Sequence, residues 1–340
     1  VSQPRIAAFA RAANGNVEPK RIISGQASKL GRTVHGIAYD PNHDEIVVPN
    51  PLADAVLVFR AGAKGDEPPV RVIQGPRTQL ITPHSVSLDL ANKEILVSSL
   101  NGKTVYAFPW DANGNVAPTR MIRGPKTRLG HVVGIGVDPA TNLMAVANTD
   151  EILIFNRTDS GDVAPRAIIA GPTTGIGEEP WQIQMYQGKI FLAASNHLHQ
   201  NVYSGVTLKG TYKEIPEDPW DDPNLGFIGV WNITDEGDTP PLARLGGPFS
   251  GLLHPVGLAI NPEDGEMYVS DSVRNGVFTF LVPDFFGGPV KQPQKREAGR
   301  SRAASKRDST DKRDATGKRE KDCCVAKRER PSASRQSTER

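Results

Sequence analysis

The residues with chemistry to offer recur at fixed stations. Four of the seven histidines, His35, His84, His131 and His254, fall just before or at the start of a short apolar stretch, and Trp181, with Glu179 two residues earlier, holds the same station in another copy. A second station, at the end of the next apolar stretch, holds Asn50, Ser99, Asn148, Asn196 and Asp271. Imidazole, carboxamide and carboxylate groups bind divalent ions or hold the hydroxyls of a polar ligand. Directly after Asn196 comes His197-Leu198-His199, whose two imidazoles point the same way in extended backbone. Beyond it lie Tyr203, Tyr212, Trp220 and the acids Glu217, Asp218, Asp221 and Asp222. These residues belong to an insertion over 197–225, which is long enough to act as a lid with aromatics that stack on a sugar or another flat ligand.

The stations recur because the chain repeats. ANGNVEPKRIISG at 13–25 returns as AKGDEPPVRVIQG, ANGNVAPTRMIRG, DSGDVAPRAIIAG and DEGDTPPLARLGG, with closing glycines at 25, 75, 124, 171 and 247. The last interval is lengthened by the insertion. In phase with these come segments of the types GIAYD, EIVVPN and AVLVF, so each unit reads as four short strands, A to D, bounded by turn residues. Asn14-Gly15 and Asn113-Gly114 suit the φ > 0 geometry of tight hairpins. A period near 48 with four strands per unit predicts an all-β fold, a β-propeller of four-stranded blades. The strand-A starts, the strand-B ends and the insertion share one face, at the central channel.

The pattern G-[IV]-x-x-D-P, then a strand ending in Asn or Asp, then V-x-V-F, resembles NHL-type propeller repeats over roughly 9–282. These are similar to the six-bladed propellers that include the gluconolactonases. The resemblance implies a binding or scaffold module with a small-molecule or protein ligand on the channel face. Its alternative is a metal-dependent, lactonase-like hydrolase. In that case Asn148, Asn196 and Asp271 hold a divalent cation (Ca or Zn) that polarises a carbonyl or a water. No early Glu clearly supplies the family's remaining ligand. The ligand-binding candidates are His35, His84, His131, Trp181, His254, Asn50, His197 and His199.

The strand census is two in 6–25, four complete units, then three in 256–282. It predicts a six-bladed ring with an incomplete N-terminal blade, whose missing strands would precede Val1. The alternative is five blades, with Arg21–Gly25 paired onto Val277–Leu281 and residues 5–10 left over. Composition separates body from tail. The whole chain carries 40 Lys+Arg and 38 Asp+Glu, net +2. Residues 1–290 sum to −7 and residues 291–340 to +9. The tail has no Leu, Ile, Phe, Met, Trp or Tyr, so 287–340 is expected to be disordered beside a propeller at 1–286.

Other classes drop out. The negative body argues against nucleic acid. No apolar run is long enough to span a membrane as a helix. The only cysteines, Cys323 and Cys324, cannot build a disulfide framework or a paired zinc site. Gly102-Lys103-Thr104 lacks a P-loop's upstream Gly, and Ser250 sits outside any G-x-S-x-G elbow. The expectation is an exported (extracellular or periplasmic) monomer.

Overall fold

The computed structural model describes residues 4–177, 179–195 and 226–287. They belong to the first of two compact units, Val1–Pro293. The second, Gln294–Arg340, lies outside the described residues, as do the insertion 197–225 and the segment 288–340 for which disorder was expected.

The fold is a β-propeller of small antiparallel sheets. A hairpin, β1 (Arg5–Ala8) and β2 (Arg21–Ser24), precedes four four-stranded blades. Blade 1 is β3 (Ala38–Asp40), β4 (Glu45–Asn50), β5 (Ala55–Arg60) and β6 (Arg71–Gln74). Blade 2 is β7 (Pro83–Asp89), β8 (Glu94–Ser99), β9 (Thr104–Pro109) and β10 (Arg120–Ile122). Blade 3 is β11 (Val132–Asp138), β12 (Leu143–Asn148), β13 (Glu151–Asn156) and β14 (Ala167–Ile169). Blade 4 is β15 (Glu179–Tyr186), β16 (Lys189–Ser195), β17 (Phe227–Asn232) and β18 (Ala243–Gly246). Blade 5 has three strands: β19 (Pro255–Asn261), β20 (Glu266–Asp271) and β21 (Gly276–Leu281).

This is the five-bladed count given as the alternative, not the six-bladed ring, but the hairpin at the junction pairs as the two adjacent strands read in 6–25, not as the five-bladed alternative supposed. Arg21–Ser24 pairs with Arg5–Ala8 in register Arg5↔Ser24 and not with β21, so residues 5–8 are not left over. The physical reason is local. The Asn14-Gly15 turn brings β1 and β2 together as a hairpin, with Gly15 at φ 76°.

The strands alternate in the manner of a doubly buried sheet. In β12, Leu143, Ala145 and Ala147 face a core shared with blade 4, while Met144 and Val146 face one shared with blade 2. The spaces from the hairpin to blade 1 and between successive blades up to blade 5 are filled in this way, so the central strands of blades 1 to 4 are largely apolar on both sides.

One backbone device joins neighbouring sheets. The Gly of each C–D turn docks against the D strand of the preceding sheet: Gly65 on β2, Gly114 on β6, Gly161 on β10 and Gly237 on β14. In the third case Arg123 N–H donates to the Gly161 carbonyl (3.1 Å), and Gly161 N–H donates to that of Met121 (2.7 Å). The next residue, Asp66, Asn115, Asp162 or Asp238, accepts a backbone N–H of the turn that follows the neighbouring D strand, from Ala27, Arg77, Lys126 and Thr173 respectively. That turn has the form Gly-Pro-x-Thr at 75–78, 124–127 and 171–174, and its buried Thr hydroxyl donates back to the Gly carbonyl at 2.6 Å. Gly124, at φ 136°, lies in backbone space closed to other residues, and a Cβ there would stand 2.5 Å from the Asp162 carboxylate.

The hairpin closes the ring. It is latched to blade 1 through Ile23↔Gly65, and its Arg11 reaches blade 5, bonding Glu266 at 2.7 and 3.0 Å and Asp264 at 2.8 Å. Arg157 of blade 3 makes the same move onto Glu94 of blade 2 (3.0 Å).

Asp162→Ala leaves the Lys126 N–H and the Gly124 turn without their acceptor and is expected to cost about 1–3 kcal/mol in urea unfolding. Asn16→Ala, at the same station of the hairpin but exposed and without a side-chain hydrogen bond, is expected to stay within about 0.5 kcal/mol. Equal losses would mean that the latch carries no stability of its own.

Candidate functional site

The innermost strand of each of blades 2 to 5 carries a β-bulge near its start, between Pro83 and Ser85, Val132 and Gly134, Pro180 and Ile183, and Pro255 and Gly257. A bulge leaves a residue outside the ladder and re-aims its side chain. The bulged residues are His84, Val133, Trp181 with Gln182, and Val256, so the repeated station of the sequence is a structural one.

Three rings meet there. His35, just before β3, stacks on His84 with centroids 4.3 Å apart and planes 17° from parallel. Trp181 lies 6.0 Å from His35 and 6.2 Å from His84, and 6.1 Å edge-on from His254. His84 is buried and its Nδ1 meets the Val133 carbonyl at 2.8 Å, which also accepts from Ser98 Oγ. His35 keeps an exposed flank, Trp181 is half-buried and His131 is exposed, so these three offer surface to a ligand.

The imidazoles are held uncharged. Burial lowers the pKa of His84 to about 4, helped by the neighbouring His35 and His131 and opposed by the Val133 carbonyl, while burial among protein atoms lowers that of His35. Around neutral pH the stack therefore presents neutral rings, with no cationic charge to attract an anion.

A hydrogen-bond chain fixes the other side. The Trp181 indole N–H donates to Ser195 Oγ (2.7 Å), and that hydroxyl stands 3.2 Å from His254 Nε2. His254 Nδ1 lies 2.8 Å from Ser272 Oγ. Because an indole only donates, Ser195 accepts from Trp181, and the Ser195 and Ser272 hydroxyls stand one against each ring nitrogen of His254. Gln182 spans the inner strands, its amide N–H donating to the His35 carbonyl (2.8 Å) and its oxygen accepting from Leu258 N–H (3.0 Å). Gln182, Ser195 and Ser272 were not singled out from the sequence. Gln182 follows the aromatic of the bulge, but only the bulge register reveals its direction.

The strand-B-end set does different work. Asn50 caps a turn, accepting from Gly31 N–H and donating to the Lys29 carbonyl. Asn148 accepts from Gly130 N–H (2.7 Å) and donates to the Arg128 carbonyl and Glu151. Both oxygens of Asp271 are taken by backbone N–H groups: those of Leu253, His254, Val273 and Arg274, at 2.7–3.1 Å. Through its bond to the His254 N–H, Asp271 positions that histidine. The register also corrects one alignment. Opposite Pro180, where Asn148 and Asp271 stand in their own blades opposite Val132 and Pro255, lies Ala194, not Asn196. Asn196, His197 and His199 are outside the described residues. Among the described residues no three His, Cys, Asp or Glu side chains gather as a metal site. Of the three oxygen ligands implied for a Ca or Zn ion, Asn148 and Asp271 are engaged in the hydrogen bonds above, and Asn196 lies outside the described residues.

Neither a protein-family model nor a curated protein matches this chain.

A histidine with a depressed folded-state pKa contributes stability that is present above its unfolded value and lost as pH falls. The unfolded state then takes up a proton that the folded state refuses. Stability is therefore expected to decline from about pH 6.5 towards about pH 4, by on the order of 3 kcal/mol from His84. Urea unfolding across that range should show the slope flattened in His84→Gln; an unchanged slope would remove His84 from its origin.

Proposed function

We propose that this protein is an NHL-like propeller module, exported and monomeric, that binds a small-molecule or protein ligand on its channel face. The stack of His35 on His84 beside Trp181 carries this reading. Neutral imidazoles next to an indole favour a flat or polyhydroxylated, uncharged surface, which stacks on aromatic faces and takes hydrogen bonds at its edges. Ser195, His254 and Ser272 lock the indole in place from behind, so the platform is pre-organised and loses little freedom on binding. Exposed His131 stands at the rim.

Lactone hydrolysis assisted by a metal finds less support. It needs carboxylate and carboxamide oxygens free to converge on an ion, and those of Asp271 and Asn148 are engaged with the backbone. Turnover of glucono-δ-lactone is expected to stay at the uncatalysed rate with or without added calcium. A rate that rises with calcium and falls on chelation would restore the hydrolase.

Trp181 reports on the proposed site. Tryptophan fluorescence titrated with free hexoses, aldonolactones and nucleosides is expected to change with at least one class. Trp181→Ala should weaken that binding at least tenfold, about 1.4 kcal/mol, while Asp271→Ala lowers thermal stability. Binding that is indifferent to Trp181, or no response across the three classes, would remove the channel face as the ligand site.

A further inference from the structure

The charge of the propeller is not spread evenly over its two faces. The turns that follow the D strands and the turns between the B and C strands open on the channel face. Over the sector from the hairpin to blade 3 they carry Lys29, Arg32, Arg77, Lys103, Arg123 and Lys126. All six are exposed, and none belongs to an ion pair among the described residues. Arg128 beside them is held by Glu151 (2.8 Å), and the exposed acids of the sector are Asp54 and Asp150. The opposite face is the reverse. Its A–B and C–D turns hold most of the carboxylates, and these consume its arginines: Arg11 is bound to Glu266, Arg60 to Glu67, Arg71 to Glu45 and Arg120 to Glu94.

Within the basic sector a groove of about 530 Å³ opens between blades 1 and 2, lined by Asp54, Gln74, Gln79, Ile81 and Arg123 among others. Its polar groups are held in place. The Gln74 amide N–H donates to the Ala53 carbonyl (2.8 Å), and one Asp54 oxygen accepts from the Thr82 N–H (2.7 Å). A guanidinium beside two carboxamides and a carboxylate can take an anionic group and hydroxyls together. The turn that lines the groove runs on through Pro83 into His84, and the turns on either side approach the same station. Arg32 precedes His35 by three residues, and Arg128 precedes His131 by three.

We propose that this sector binds an acidic polysaccharide of the uronate type, with one sugar ring on the Trp181 platform and the carboxylates of neighbouring sugars on the cations of the turns. The proposal rests on the platform reading given above and adds the charge class of the ligand. Neutral rings take the sugar face, while Arg77 and Arg123 take carboxylates as charge-assisted, fork-shaped donors. Gln74, Gln79 and Asp54 take hydroxyls. A uronate chain is a sparse polyanion with several hydroxyls for each charge, which matches cations interspersed with Asp54 and Asp150. A nucleic acid matches less well, since its closely spaced phosphates would meet the Asp54 carboxylate in the groove.

The probe is hexagalacturonate labelled at its reducing end, titrated by fluorescence anisotropy with the full chain, beside its methyl ester. The acid is expected to bind at least tenfold more tightly than the ester and to lose that margin at high salt. Arg77→Ser combined with Arg123→Ser should weaken the acid at least tenfold and leave the ester unchanged. Lys20→Ser combined with Lys64→Ser removes the same charge from the opposite face and should leave both unchanged. All four side chains are exposed, so both variants should melt with the parent. Trp181→Ala should weaken both sugars, which tests the platform separately. Acid and ester bound alike, both through Trp181, would overturn the charged sector and keep the platform. Acid binding indifferent to Trp181→Ala would break the platform reading and the single site with it. Equal losses in the two double variants would assign binding to net charge or to the basic residues of 291–340. A single-stranded RNA bound more tightly through Arg77 and Arg123 would make nucleic acid the occupant. Either result, or no binding of the acid, overturns the proposal.

Discussion

The contact between a C–D turn glycine and the D strand of the sheet before it is the constraint on which this molecule depends. Apolar packing between blades is extensive, but it is non-directional, and flat sheets can slide over one another. The latch is directional. Two backbone hydrogen bonds fix the height of each of blades 1 to 4 against the sheet before it, and an Asp or Asn oxygen sets the angle by capping the turn that follows the neighbouring D strand. The same small unit therefore spaces the blades as well as ending them.

That spacing makes the channel face possible. The bulges at the strand-A starts aim one side chain per blade inward, but a ring stack at 4.3 Å requires that two blades stand at a set height. His35 belongs to blade 1 and His84 to blade 2, and the latch at Ile73↔Gly114 joins those two sheets. Trp181 arrives from blade 4, across the channel, and the Gln182 amide ties the approach to β3 and the β19 backbone together. The arrangement holds aromatic surface without charge, because burial keeps the imidazoles neutral.

Much of the fold was legible in the sequence, since a repeat states its own period. Alternating apolar residues and Asn-Gly turns mark the strands, and the five matching glycines mark the D ends. The histidine station was legible for the same reason, because one residue type at one phase of a repeat must return to one place in space. The Asn and Asp station was legible as a position but not as a role. An Asp that binds a metal and an Asp that caps two turns are the same letter, and only the N–H groups around Asp271 tell them apart. The count of blades also escaped the sequence. The repeat left six and five blades open; the structure shows five, with Arg21–Ser24 paired to its neighbour Arg5–Ala8 and not to β21.

By itself the sequence determined the all-β class, the four-strand unit and the residues that share a face. Periodicity of side-chain character maps directly onto strand and turn geometry, which is local physics. Tertiary structure alone decided which of those residues touch, which carboxylates are consumed by the backbone, and where Gln182, Ser195 and Ser272 join the site. Those outcomes depend on the register of each bulge and the height of each latched blade. Both arise between segments far apart in the chain, and no local pattern of residues encodes them.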